Sequence, residues 1–179
     1  MQIYANKLQA QLTQSLSNVY LIAGDDDLLR DDSVQLVRDA AKKNGFSDNQ
    51  KFIQDSSFSW QQLLEASNAM SLFAEKRLLE LKLSSSKIGT EGSQAVLDCL
   101  RTLDEDTVLL ISAPRMEGKP KWLSGIIDQG IYVPIYPLDT PQLPGWLIQR
   151  AKSKQLQLSQ AAAELLAERT EGNHVAAVQ

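Results

Sequence analysis

A glycine and three aspartates follow the first apolar segment of the chain, at a position where many α/β proteins bind phosphate. Residues 18–23 are almost all apolar, which is typical of a strand buried on both faces, and a Gly-Asp-Asp-Asp turn follows directly. A phosphate-binding loop needs glycines, whose backbone N–H groups wrap the phosphates, and a Lys-Ser or Lys-Thr pair. Gly24, Asp25, Asp26 and Asp27 supply one glycine, no lysine and three carboxylates. We therefore interpret the turn as a degenerate loop and expect no nucleotide-binding residues.

The remaining side chains with the chemistry of a site form no recognisable constellation. The aspartates of residues 25–32 lack the glycine and the ligand spacing of a calcium loop, so we interpret them as a solvated helix start, with a metal cluster as the alternative. His174 is interpreted as a surface or packing residue, and Cys99 as a buried residue of a helix. We expect no catalytic residue, no metal ion and no cofactor.

The charge of the chain limits its direct partners. Its 18 basic and 22 acidic residues give a net charge of −4, so nothing draws the whole chain toward nucleic acid or an anionic membrane. Arg115, Lys119 and Lys121 form one small basic patch, interpreted as a solvated face with a phosphate contact as the alternative. A single cysteine, a polar N-terminus and the lack of a ~20-residue apolar run predict a cytoplasmic protein that does not enter the membrane.

Apolar strands alternate with amphipathic helices along residues 5–136. This order predicts an α/β fold, with a mainly parallel sheet covered by helices on both faces. Pro134 indicates that the last strand lies at an edge of the sheet, or that its ladder of hydrogen bonds ends there. Residues 84–92 are rich in serine and glycine and predict an exposed loop. The predicted strands are 18–23, 51–54, 77–83, 107–113 and 130–136, and the predicted helices are 5–16, 28–43, 59 onward, 93–103 and 121–129.

A proline-rich joint, Thr140–Pro144, separates this part of the chain from two further helices and predicts a domain boundary. The first domain then spans residues 1–139 and the second spans residues 140–179. The helices predicted in the second domain, 145–154 and 159–170, are too small to bury a core alone. We therefore expect the sequence to stop inside an incomplete, all-helical domain.

Two large apolar residues, Leu72 and Phe73, do not fit the helix that precedes them. At about 100° per residue, one stripe is formed by Trp60, Leu64, Ser67 and Ser71, with Leu63 and Met70 at its edge. Leu72 and Phe73 lie more than about 100° from the centre of this stripe, on opposite flanks. Either the helix ends before the pair and both residues turn into the core, or they are exposed and form a docking feature. The residues alone favour the core and leave docking open.

The order of the elements and several short motifs resemble the delta subunit of bacterial DNA polymerase III, a clamp-loader protein. The motifs are residues 19–26 with the Gly-Asp-Asp turn, Met-Ser-Leu-Phe at 70–73, residues 141–146, and Glu-Gly-Asn at 171–173. The resemblance covers essentially the whole chain. It implies an AAA+ α/β domain of the P-loop NTPase type that has lost ATP binding, followed by part of a helical lid domain. The C-terminal collar domain of the family is absent, so an N-terminal fragment is expected.

The same resemblance reverses the preference at Leu72 and Phe73. In this family the corresponding residues enter a pocket on the sliding clamp, so Met70, Ser71, Leu72 and Phe73 are expected to bind the clamp. The implied function lies in DNA replication: a clamp-loader subunit that helps to open the clamp ring for loading onto primed DNA. The implied partners are the sliding clamp (the beta subunit), other clamp-loader subunits and, through the assembled complex, DNA.

Two other functions stay open on the residues. One is a P-loop-type NTPase with a divergent phosphate loop, and the other is a structural adaptor within an AAA+ assembly that never touches a clamp. The holoenzyme that contains the resembling subunit is a DNA-directed DNA polymerase, which is a nucleotidyltransferase. The sequence itself shows no nucleotidyltransferase active site, so its enzymatic status is left open.

Overall fold

The computed structural model describes residues 1–69, 76–171 and 173–178 of the 179-residue chain. Contacts within the chain divide it into two compact units, Met1–Ile135 and Tyr136–Gln179. This division lies slightly before the predicted boundary at residue 140. The assignment of the second unit as an incomplete lid domain stays a prediction.

The first unit alternates helices and strands. Its elements are α1 (Ala5–Gln14), β1 (Val19–Ala23), α2 (Asp27–Lys43), β2 (Phe46–Ile53), α3 (Trp60–Asn68), β3 (Lys76–Lys82), α4 (Gly89–Thr102), β4 (Thr107–Ala113), α5 (Lys121–Gln129) and β5 (Ile131–Pro134).

Within the described residues, the strands form one sheet in the order β2-β3-β4-β1-β5, and every neighbouring pair is parallel. β1 lies inside the sheet, where Leu21 is paired with Ile111 of β4 and with Tyr132 of β5. Parallel strands need crossover connections, so helices link them and cover both faces. This arrangement confirms the predicted α/β fold, and β5, which carries Pro134, is an edge strand as predicted.

Two apolar cores lie against the two faces of the sheet, because successive side chains of a strand point to opposite faces. Leu21 of β1 belongs to the core that α3, α4 and α5 cover, together with Leu63 and Trp122. Tyr20 belongs to the core on the other face, which includes Leu8 of α1 and Val37 of α2. Burial on both faces explains why β1 has a continuous apolar sequence.

β2 begins earlier than the sequence predicted, at Phe46 rather than at residue 51. Its residues alternate between more and less buried along the whole strand, as expected for an edge strand with one face toward solvent. Serine, aspartate and asparagine fill the start of this strand, and these residue types are uncommon in strands. Their polarity is the reason that the predicted strand was too short.

α4 also begins earlier than predicted, at Gly89, so the predicted loop of residues 84–92 was wrong at its C-terminal end. Gly92 is buried in the first turns of this helix, and a Cβ atom there would lie only 2.4 Å from Cζ2 of Trp60. The glycine that indicated a loop is therefore required for the close packing of α4 on α3.

The second unit is helical in the residues that the structure describes. Its elements are a 3₁₀ turn (Thr140–Gln142), α6 (Leu143–Ser153), α7 (Gln160–Arg169) and the short α8 (His174–Ala177). The hydroxyl oxygen of Ser159 accepts a hydrogen bond from the N–H of Ala162 and caps α7. The buried core consists of Leu143, Leu147, Ala163 and Ala167, so this unit buries little apolar surface. Among the described helices of the chain, none has both the length and the apolar character needed to cross a membrane.

Candidate functional site

The predicted clamp-binding residues, 70–73, lie outside the described residues, so the structure leaves this prediction untested. The elements on either side of them are described. α3 ends at Asn68, and Ala69 has an extended backbone with φ −65° and ψ 120°. The described part of the helix therefore ends before residue 70.

The last turn of α3 is anchored by Ser67. The residue is 4% exposed, its hydroxyl donates to the carbonyl oxygen of Leu64 at 2.9 Å, and its side chain lies beside the thiol of Cys99 in α4. Burial raises the pKa of the Cys99 thiol, so it stays neutral and packs as a small apolar group. Trp60 and Ser67 are buried and Leu64 is half-buried, as predicted for this stripe, and Leu63, which was predicted at its edge, is fully buried. Ser71 and Met70 lie outside the described residues.

A buried arginine, Arg77, joins the beginning of β3 to the end of α3. One terminal nitrogen of its guanidinium donates to the carbonyl oxygen of Ala66 at 2.9 Å, and the other donates to Oγ1 of Thr107 in β4 at 3.0 Å. Its backbone N–H donates to the carbonyl oxygen of Asp106 at 2.8 Å. Nothing in the sequence pattern marks Arg77, because a basic residue at the start of an apolar strand is usually exposed.

The turn after β1 packs closely against the end of β5. A Cβ atom at Gly24 would lie 2.3 Å from the carbonyl oxygen of Ile135 and 2.6 Å from its Cβ, so only glycine fits. The N–H of Gly24 donates to the carbonyl oxygen of Ala113 at 3.1 Å, and the N–H of Ile135 donates to that of Ala23 at 2.7 Å. A phosphate loop keeps such N–H groups available to wrap an anion. Here the N–H of Gly24 is used by the sheet.

Two aspartates of the turn accept hydrogen bonds from the backbone. Oδ1 of Asp25 accepts from the N–H of Arg115 at 3.0 Å. Oδ1 of Asp26 accepts from the N–H of Leu29 at 3.0 Å and caps α2. A capping carboxylate uses the donors and the positive dipole end that an incoming phosphate would need. Among the described residues, no group of three acidic, histidine or cysteine side chains could hold a metal ion.

Arg30 occupies the inner side of the same turn. The residue is 8% exposed, one terminal nitrogen donates to the carbonyl oxygen of Gly24 at 2.7 Å, and the other pairs with the Asp27 carboxylate. A surface cavity of about 330 Å³ opens beside it at the carboxyl ends of the strands, and Asp25 and Lys82 are among its lining residues. Two carboxylates, Asp25 and Asp27, and two cations, Arg30 and Lys82, line the cavity, so it carries no excess positive charge, and the guanidinium of Arg30 already has its acceptors. The turn is therefore electrostatically unfavourable for phosphate.

Of the other candidate residues, Arg115 contacts the turn after β1 through its backbone N–H. Arg115, Lys119 and Lys121 are exposed, as expected for a solvated face, and a phosphate contact there stays untested. His174 lies in the second unit, where its ring packs edge-on against Trp146 with a centroid distance of 5.8 Å.

Comparisons with known sequences agree with one another. The family model described as DNA polymerase III, delta subunit, matches residues 20–135. The DNA polymerase III subunit delta of Escherichia coli K12 is 29% identical over 180 residues, which cover 99% of this chain and 52% of the relative. The DNA polymerase III subunit delta of Haemophilus influenzae Rd is 27% identical over 188 residues, which cover 99% of this chain and 53% of the relative. The chain thus spans about half the length of the curated relatives it matches.

Solved structures share the fold. The Bacillus subtilis DNA clamp loader delta protein matches with a TM-score of 0.72 and 16% identity, over 97% of this chain and 54% of that one. The Thermotoga maritima RuvB Holliday junction branch migration motor matches with a TM-score of 0.62 and 13% identity, over 97% of this chain and 59% of that one. At such low identity these two likenesses concern the fold alone, whereas the family model covers well over half of the sequence. The chain belongs to the DNA polymerase III delta subunit family.

Proposed function

We propose that this chain acts in DNA replication as part of a clamp-loader subunit that binds the sliding clamp and helps to open its ring for loading onto primed DNA. The observation that carries this proposal is the family membership, which extends through residues 20–135 and includes the segment 70–73. The proposed partners are the sliding clamp, the other loader subunits and, through the assembled complex, DNA.

The clamp-binding element of the proposal is Met70, Ser71, Leu72 and Phe73. Its support in the described residues is that α3 ends at Asn68, before this segment begins. Burial of an exposed leucine or phenylalanine in a pocket of a partner contributes about 1.5–3 kcal/mol each, before the cost of ordering. Two such residues can dominate a small interface.

Ring opening in this proposal requires no nucleotide chemistry in this chain. A binder that prefers the open form of the clamp shifts the ring toward that form by the difference between its two binding free energies. The turn after β1 supports such a role, because Asp26 caps α2 and Arg30 holds the carbonyl oxygen of Gly24. Both contacts leave the turn poorly suited to a phosphate group.

The test is the affinity of the chain for purified, immobilised sliding clamp. The double variant Leu72→Ala, Phe73→Ala is expected to bind at least about 100-fold more weakly, since it loses about 3 kcal/mol or more. The matched control is Leu165→Ala in α7, because Leu165 is 53% exposed and lies in the other unit. This control should bind within about twofold of the original chain.

If the double variant has the same circular dichroism spectrum and the same clamp affinity as the original chain, residues 70–73 are not the clamp-binding element. No measurable binding by the unmodified chain would favour the structural adaptor within an AAA+ assembly. Titration with ATP tests the divergent NTPase, which predicts nucleotide binding that changes when Asp25–Asp27 are replaced.

A further inference from the structure

The C-terminal end of α2 carries a chemically reactive pair of residues, Asn44 and Gly45. The backbone nitrogen of the residue after an asparagine is able to attack the side-chain carbon Cγ of that asparagine. Glycine favours this attack, because it has no side chain to hinder the approach. Asn44 alone among the asparagines of the sequence precedes a glycine, and both residues of the pair are exposed. The pair therefore has the chemistry of a site of spontaneous deamidation.

The reaction of such a pair needs no reagent except water. The Gly45 nitrogen forms a bond to Cγ of Asn44, and its proton passes through water to the leaving nitrogen, Nδ2. The bond from Cγ to Nδ2 breaks, so that ammonia leaves and a cyclic imide remains. Water then opens the imide at one of its carbonyl groups. The product is either aspartate or isoaspartate, in which the backbone runs through the side chain.

The folded C-cap of α2 opposes the first step of this reaction. At a ψ of 11°, the Gly45 nitrogen is nearly eclipsed with the backbone nitrogen of Asn44, whereas the imide ring requires it on the side of Cβ. The N–H of Gly45 donates to the carbonyl oxygen of Lys42 at 3.1 Å. Nδ2 of Asn44 donates to the carbonyl oxygen of Ala40 at 2.8 Å. The attacking nitrogen and the leaving nitrogen are thus both held by the last turn of the helix.

Opening of this last turn removes these restraints without unfolding of the sheet. Helix ends are among the parts of a protein that open at the lowest free energy, because their terminal groups have few partners within the helix. The chain is anchored again at Phe46, which is 7% exposed and pairs with Lys76 of β3. We therefore expect the opening to be confined to residues 40–45.

We propose that Asn44 is a site of spontaneous deamidation, and that opening of the C-cap of α2 sets its rate. The reaction removes the Nδ2 donor from Ala40 and places a carboxylate at the negative end of the helix dipole. Lys42 and Lys43 in the last turn offset part of this charge. Isoaspartate also lengthens the backbone between α2 and β2. A chain that has reacted keeps a weaker link between these two elements.

The experiment follows deamidation at each asparagine by mass spectrometry of proteolytic peptides, after incubation of the chain at mildly alkaline pH. In urea, Asn44 is expected to react faster than the other asparagines, because it alone precedes a glycine. In the folded chain, Asn44 is expected to react at least about tenfold more slowly than in urea, because the attack requires the open turn.

The variant Ala40→Gly tests whether opening of the turn sets the rate. It keeps the reactive pair and the backbone carbonyl of residue 40, but glycine weakens the helix, so the rate in the folded variant should rise about fivefold. The matched control is Ala10→Gly, the same substitution at an exposed position of α1. The control should react within about twofold of the original chain, and in urea all three chains should react equally fast.

Each part of the proposal has an outcome that overturns it. Faster reaction of another asparagine in urea would show that Asn44 is not the site. Equal rates for Asn44 in the folded chain and in urea would show that the C-cap does not protect it. If Ala40→Gly reacts within twofold of the original chain, or if Ala10→Gly accelerates the reaction as much as Ala40→Gly, local opening of α2 does not set the rate.

The consequence for the fold is measured with Asn44→Asp, which reproduces one of the products. Its Tm is expected to be about 2–4 °C lower than that of the original chain, and the difference should shrink at high salt, because part of it is electrostatic. An unchanged Tm would show that deamidation does not weaken the link between α2 and β2.

Discussion

Replacement of Gly92 by alanine is expected to destabilise the first unit, although alanine is the better helix former. Gly92 lies in α4, where a Cβ atom would be 2.4 Å from Cζ2 and 2.7 Å from Cε2 of Trp60, and 2.9 Å from Cβ of Ile88. Ordinary contacts of a Cβ atom are 3.4–4 Å long. The indole of Trp60 would have to move by about an ångström, and its ring already packs edge-on against Phe58 at a centroid distance of 4.9 Å.

Two opposing free energies decide the outcome. The change to alanine in a helix gains about 1 kcal/mol at most. Overpacking of a filled core costs about 1–3 kcal/mol, and the upper part of that range applies because two atoms of a rigid ring are too close to the new methyl group. The expected net loss in the free energy of unfolding of Gly92→Ala is therefore about 1–2 kcal/mol. For a unit of this size, such a loss corresponds to a decrease of about 3–7 °C in Tm.

The assay is thermal unfolding followed by circular dichroism and tryptophan fluorescence, together with urea unfolding at constant slope m. The matched control is Gly145→Ala in α6, where a Cβ atom would meet nothing within 4 Å. It should leave Tm unchanged or raise it slightly. The double variant Gly92→Ala, Trp60→Leu should show a favourable coupling, because the smaller side chain leaves room for the methyl group. An unchanged or higher Tm of Gly92→Ala would refute the argument that no space for a methyl group exists between Gly92 and Trp60.

Two further predictions concern ionisable groups. Burial raises the pKa of Glu80, but hydrogen bonds from Arg38 and Asn49 outweigh burial and hold the pKa of Glu80 below its usual value. This stabilisation is present above the unfolded pKa of about 4.3 and is lost as the pH falls through the folded pKa. In the original protein, the urea concentration at the midpoint of unfolding should therefore fall between about pH 5 and pH 3, and in Glu80→Gln it should fall less steeply. An equally steep fall in the variant would contradict this prediction. Burial also raises the pKa of the Cys99 thiol, and this residue is fully buried. A thiol reagent at pH 8 should therefore label Cys99 only as fast as urea unfolds the protein. Rapid labelling of the native protein would contradict this packing.

The strands were predicted best where both of their faces are buried. β1 and β4 lie inside the sheet, so almost every residue in them is apolar, and the run itself defines the strand. β2 is an edge strand with one face toward solvent, and its polar first half looks like a loop in the sequence. The error at Gly89 in α4 has a similar cause, since a glycine that serves helix packing cannot be distinguished from one that serves a loop.

The buried arginines could not be predicted at all. Arg30 and Arg77 each donate to a carbonyl oxygen, of Gly24 and of Ala66, and every residue carries such a group. These backbone acceptors therefore leave no trace in the choice of residue types. The side-chain acceptors, Asp27 and Thr107, are residue types that are common at a helix start and in a strand, so they do not indicate a buried arginine either. A charged residue in an amphipathic helix or at a strand end is normally exposed, so periodicity assigns both arginines to solvent.

At the turn after β1, the sequence and the structure oppose phosphate for reasons that add to each other. The sequence contributes the sign of the charge, with three consecutive carboxylates where an anion would lie. The structure adds that Asp26 caps α2, that Arg30 holds the carbonyl oxygen of Gly24, and that Gly24 has no room beside Ile135. Insertion of a lysine would offset only part of the negative charge, and the backbone donors would still be used inside the protein. A phosphate site needs backbone N–H groups without an internal partner as well as a cation. Conversion of this turn into such a site would therefore require changes in both the charged side chains and the backbone contacts.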